Sequence, residues 1–190
     1  RLTPQDILVL DGDLLEKRGD SLALLRRVME LSRTHTVYPL CGNCDGLVLR
    51  FFETDELDGR FFSFYLPQHP ESTLRQLARE GGFEQLDDLP RLRRDLREAY
   101  PGIWDWLRRM PTILETEHLV FVHGGVPSLE RMDQLERWGC MKNDDFLGQG
   151  RSFSKWVIVG HWPVTLYNPQ IPSAAPIILP ERRIISIDGG

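Results

Sequence analysis

Four short apolar runs in this chain each stop at a glycine-flanked residue whose side chain can ligate a metal, and this repetition constrains the fold more than any other feature. The run from Ile7 to Leu10 is broken by Asp11, Gly12 and Asp13. Thr36 to Leu40 leads into Cys41, Gly42, Asn43, Cys44 and Asp45. His118 to Val122 ends at His123, Gly124 and Gly125, and Trp156 to Val159 ends at Gly160, His161, Trp162 and Pro163. Each pattern reads as a short buried strand delivering its last residues into a loop. Loops at strand ends are where α/β folds keep their chemistry. Taken singly, such residues have ordinary explanations: a strand-end Asp completes a turn or caps a helix, and a strand-end His is hydrogen-bonded. Four of them predict that Asp13, Asn43, His123 and His161 converge.

The segments between these runs complete an α/β pattern. Asp20 and Ser21 offer an N-cap to a helix whose apolar positions are Leu22, Leu25, Val28 and Met29. The stretch 72–110 is more polar and predicts a helical layer: Ser72 to Glu80 with Gly81 as its C-terminal cap, then amphipathic stretches over Leu92 to Tyr100 and Ile103 to Met110. After Pro111 the character turns to β, with Thr112 to Glu117 preceding the His118 run. Ile177 to Leu179 and Ile184 to Ile187 read as paired strands turning at Pro180 and Glu181. No fixed-period repeat or low-complexity linker divides the chain, so residues 1–190 are expected to form a single domain.

Composition narrows the function classes. A chain of 190 residues can bury a core without a disulfide or metal staple. Its net charge of -5 argues against a general nucleic-acid binder, which needs surplus clustered Lys and Arg. The basic run from Arg91 to Arg97 is interleaved with Asp95 and flanked by Asp87, Asp88 and Glu98, which predicts a solvated helix face. Three cysteines, an odd number, fit a reducing compartment, and the cytoplasm is the expected location. No apolar stretch approaches the roughly 20 residues of a membrane span, and no signal-peptide layout opens the sequence. Cys41 and Cys44 make a CxxC, but Cys140 supplies no second pair for zinc, and Gly42 and Asn43 suit a metal-binding turn better than a redox helix. His35 and His118 read as structural or exposed; His69, before Pro70, is a weaker candidate for the substrate side.

In order along the chain, the segments GDLLEKRGDS, GNCD, FVHGG and VGHWP resemble the signature blocks of the calcineurin-like metallophosphoesterase superfamily, specifically its bacterial Ser/Thr protein phosphatase-like branch. The resemblance extends from Ile7 through the IISIDGG ending. It implies an α/β fold, a four-layer αββα sandwich of two mixed β-sheets. It implies two divalent metals about 3.5–4 Å apart, with Asp13 bridging them and Asn43, His123 and His161 completing the second metal's shell. The mixed oxygen and nitrogen set suits Mn, Fe or Zn better than Ca. The implied activity is phosphoester hydrolysis by a metal-activated hydroxide, on a phosphorylated small molecule, nucleotide or phosphoprotein.

Three departures from the family pattern bear on that activity. The family opens with a DxHG block on its first strand; this sequence has none, so the protein is expected to continue upstream of Arg1. Cys44 stands where the GNHE block of the family has the His that protonates the leaving oxygen, and Asp45 replaces the Glu that would orient it. A thiol is a poorer proton donor near pH 7 than imidazolium. A phosphodiesterase or dinucleotide polyphosphate hydrolase is therefore the alternative to a monoesterase, and a non-catalytic phosphate-binding or scaffold protein is the second. In EKRGDS, Lys17 takes the place of a phosphate-gripping Arg and Arg18 that of a Gly, so either cation is a candidate substrate contact.

Overall fold

The computed structural model describes residues 2–3, 5–17, 19–53, 59–83, 85–170 and 173–190. In chain order the elements begin with β1 (Ile7–Leu10), α1 (Ser21–Leu31), β2 (Thr36–Pro39), α2 (Asn43–Glu53) and α3 (Gly59–Gln68). There follow α4 (Thr73–Glu80), α5 (Leu89–Ala99), α6 (Pro101–Arg108), β3 (Ile113–Glu115) and β4 (Leu119–Val122). The last are α7 (Arg137–Met141), β5 (Trp156–Val159), α8 (Val164–Tyr167), β6 (Ile177–Leu179) and β7 (Ile184–Ser186). The fold is mixed α/β with two sheets and helices, the class expected. No helix among the described residues is long and apolar enough to cross a membrane.

The chain divides into two compact units, the first made of residues 1–7, 13–37 and 44–110 and the second of 8–12, 38–43 and 111–190. The first is helical. Helix α1 starts where the Asp20 carboxylate accepts from Ala23 N at 2.9 Å, satisfying one of the open N–H groups of its first turn, and it buries Leu22, Leu25 and Val28. Ser72 caps α4 and Asp88 caps α5 in the same way. Phe51 and Phe62 meet edge to face with centroids 5.1 Å apart, in a core that includes Leu66, Leu77, Leu92 and Leu96.

Several expectations are corrected here. Residues from Asn43 onward are not loop but the first turn of α2. Val48, Leu49, Phe51 and Phe52, all buried, fall on one face at helical spacing, a pattern in the sequence that went unused. Helix α5 begins at Leu89 rather than Leu92, since Asp88 caps it and Pro90 suits the first turn. Its basic run is not wholly solvated. Arg93 is 2% exposed, donates from Nε to Phe51 O at 2.6 Å and lies over the Phe51 ring.

The second unit holds a five-stranded sheet in the order β3-β4-β5-β7-β6. Strands β4, β5 and β7 run parallel, and β3 and β6 flank them antiparallel. The register places Val120 beside Val157 and Val157 beside Ile184, three residues with no solvent exposure, so the sheet centre is a continuous apolar row. The predicted β6 and β7 pair holds, with its turn at 180–183. The strand predicted from Thr112 to Glu117 is shorter, Ile113–Glu115, because Thr116 turns the chain by accepting from Leu119 N at its hydroxyl. β1 and β2 make the second, two-stranded sheet, with Leu40 N reaching Leu10 O at 2.8 Å just past β2.

Candidate metal centre

Parallel pairing of β4 and β5 brings two strand ends side by side, and each carries a histidine one or two residues further on. Gly160 N donates to His123 O at 2.9 Å, and the rings of His123 and His161 lie 5.3 Å apart. His123 is 2% exposed. Its Nδ1 is 2.5 Å from Asp11 O, and a carbonyl only accepts, so Nδ1 carries the proton. In the neutral ring, Nε2 then presents its lone pair to Asn43 Oδ1 at 3.3 Å. Two lone pairs face each other there, an arrangement that a cation between them, protonation of the ring or an amide turned to offer its NH2 satisfies.

His161 has φ of 61°, a left-handed conformation rare for a residue with a side chain. Its Nε2 is 2.8 Å from Asp144 Oδ1, so Nε2 carries the proton and Nδ1 is left with the lone pair. Hydrogen bonds from Lys142 and then from His161 hold the Asp144 carboxyl below the usual carboxylate range. Asp144 lies in the polar segment KNDDF, which carries no strand-end or periodic signal, and sequence reasoning missed it.

Close backbone approach explains the glycines of the first two motifs. A Cβ on Gly12, whose φ is 86°, would lie 2.7 Å from Gly42 Cα, Gly42 N and His123 Nδ1. A Cβ on Gly160 would stand 3.2 Å from Asp11 Oδ2, which places the Asp11 carboxylate at the end of β5. Asp11 is a further acidic residue that the DGD pattern offered and that sequence reasoning passed over in favour of Asp13. In the second unit, then, the structure brings together Asp11, Asn43, His123 and His161, with Asp144 behind His161.

The first unit holds Asp13, Lys17, Cys44 and Asp45. Asp13 has φ of 56°. Asp45, fully buried, accepts from Asp13 N at 2.7 Å and from Leu15 N at 2.9 Å, and so holds that turn. Asp13 Oδ1 accepts from Cys44 N at 2.9 Å, and Lys17 Nζ pairs with Asp13 Oδ2 at 2.7 Å. Burial, and then the charge of Asp13, push the Cys44 thiol up to about 12. It keeps its proton across the physiological range. No disulfide joins Cys41, Cys44 and Cys140. Arg18 lies outside the described residues; His35 is half-buried and His118 is exposed.

Two histidines just past the ends of the parallel strands β4 and β5, with Asp11 and Asn43 beside them, give an α/β protein a cluster of the donor types that suit a metal. The family model for calcineurin-like phosphoesterases matches residues 1–170. The chain belongs to that family; it is a phosphoesterase, a hydrolase of a class that uses divalent metals. No curated protein and no solved structure matches it.

Proposed function

We propose that the protein hydrolyses a phosphoester with two divalent ions, Mn, Fe or Zn, held by Asp13, Asn43, His123 and His161, in the manner of the Ser/Thr phosphatase-like branch. The observation that carries this reading is the convergence of Asn43 and the two histidines, with Nε2 of His123 turned to the amide oxygen. The donor set fits: imidazole nitrogens with carboxylate and amide oxygens suit these metals. Bound there, the ions would lower the pKa of a water and neutralise phosphoryl oxygens. The remaining work falls to the chain. Asp45 fixes the backbone of Asp13, the hydrogen bonds to Asp11 O and Asp144 fix the two ring tautomers, and Lys17 and Arg18 bring positive charge to the phosphate.

Cys44 favours a second reading. A thiol that holds its proton to about 12 is a weak acid for an alkoxide leaving group. Diesters or phosphoanhydrides with stable leaving groups fit it better than alkyl monoesters. Parallel assays of an aryl phosphate and a bis-aryl phosphate, with metal content measured on the same preparation, test both readings. The expectation is hydrolysis with the diester preferred, and a shift toward the monoester in Cys44→His. Bound metal without turnover of either ester would leave a phosphate-binding scaffold; absence of metal binding as well would overturn the ligand assignment.

A further inference from the structure

Beside the Asp13 turn lies a cavity of 320 Å³ that none of the proposed ligands lines. Lys17 and Gly19 form one side; the end of α3 and the turn into α4 form the other. Its wall carries two rings one helical turn apart, Tyr65 and His69, stacked with centroids 4.2 Å apart and planes at 22°. The inner ring is anchored. Tyr65 OH donates to Glu16, whose other oxygen accepts from Thr73 N at 2.7 Å. Burial and that hydrogen bond push the Tyr65 hydroxyl well above its ordinary range, so the donor stays protonated. The outer ring, His69, is exposed, and its backbone is held on both sides by bonds from His69 N to Tyr65 O and from Ser72 N to His69 O. Glu16 thus ties the ring pair to the loop that carries Asp13 and Lys17.

We propose that this cavity seats the base of a nucleotide substrate, the heterocycle stacking on the ring pair and the phosphate chain running past Lys17. The proposal rests on the phosphoesterase reading and narrows it to a substrate class. A flat, fixed pair of rings contributes nothing to an alkyl phosphate but stacks any nucleobase. A volume of 320 Å³ is at the small end of ligand sites and suits one nucleoside rather than a peptide segment. Gln68 and Glu71 on the rim offer an amide and a carboxylate to the polar edge of a base. Lys17, with its side chain 55% exposed, is a cation within the cavity wall.

The test compares diadenosine tetraphosphate with inorganic tetraphosphate, which lacks the bases, on the full chain loaded with Mn. The expected kcat/KM is about tenfold or more higher for the dinucleotide, the range of one base stacked on an aromatic ring. His69→Ala should erase that advantage and His69→Phe, which restores a flat ring, should keep it. In a second arm, adenosine binding to metal-free protein is followed by saturation-transfer NMR, with loss expected in His69→Ala and retention in His69→Phe. Hydrolysis of phosphoesters with no base advantage and no adenosine signal would overturn the seat and leave the phosphoesterase reading standing. Adenosine binding that depends on residue 69, with no ester hydrolysed, would uphold the seat and remove the phosphoesterase reading. A preference for phosphotyrosine over the nucleotide would also overturn the seat.

Discussion

Asp45→Ala offers the sharpest test of how the Asp13 turn is held. The carboxylate has no solvent exposure and accepts from two backbone donors, Asp13 N and Leu15 N, at 2.7 and 2.9 Å. Alanine leaves both N–H groups in a space that water does not enter. A buried donor without a partner costs about 1–3 kcal/mol, so the pair amounts to roughly 3 kcal/mol when the lower half of that range is used. The φ of 56° at Asp13 adds to the tension, because a residue with a Cβ holds that conformation only under such restraint. For 190 residues the unfolding entropy is about 0.4 kcal/mol/K, so Tm should fall by about 8 °C and the urea midpoint by about 1.5 M. Asp45→Asn is the internal control: its amide oxygen still serves one donor while its NH2 opposes the other, which predicts about half the loss. Differential scanning calorimetry and urea titration of the three proteins measure this. A shift under about 2 °C in the alanine variant, or equal shifts in the two variants, would refute the claim that these two bonds hold the turn.

Two further outcomes follow from other parts of the molecule. Asp144→Ala should weaken metal binding about tenfold in a calorimetric titration, because the carboxylate that fixes the His161 ring is lost; unchanged affinity would show that His161 is oriented without it. The Arg26 and Glu80 pair should matter only to acid stability. The hydrogen bond from Arg26 lowers the Glu80 pKa, so its contribution is complete above the unfolded value of about 4.3 and disappears as pH falls through the lower folded value. Both groups are exposed, so Glu80→Gln should cost no more than about 2 °C at pH 7, with the gap closing near pH 3; a gap that stays constant with pH would contradict the assignment.

Strand ends were the most legible part of this molecule, for a physical reason. A short buried strand must be apolar and must then stop, and glycine beside a polar residue is a strong local signal for stopping. Hence β1, β2, β4 and β5 could be placed from the sequence, as could the cap at Asp20 and the end of α4 at Gly81. Helix α2 opens at once on Asn43, and the GNCD spelling hid the helical spacing of its apolar residues. The rest of what escaped depends on distant partners. Arg93 is buried because Phe51 supplies a carbonyl and a ring, residues 42 positions away. Asp144 finds His161 across 17 residues from a stretch composed like any solvated turn.

The contacts of the residues at positions 13 and 161 bear on function beside the motif spelling. Asp13 and His161 both sit at positive φ, where glycine would relieve the backbone. Glycine is near at hand in both segments, as Gly12 and Gly160, so the local chain already tolerates it. A side chain kept in a left-handed conformation beside an available glycine is retained for what its atoms touch. At Asp13 those atoms meet Cys44 N and Lys17, and at His161 they meet Asp144 and lie near the His123 ring. Glu16, Arg131, Asp145 and Arg183 hold a similar φ and are none of the expected ligands, so it is what Asp13 and His161 touch, rather than the backbone angle alone, that sets them apart.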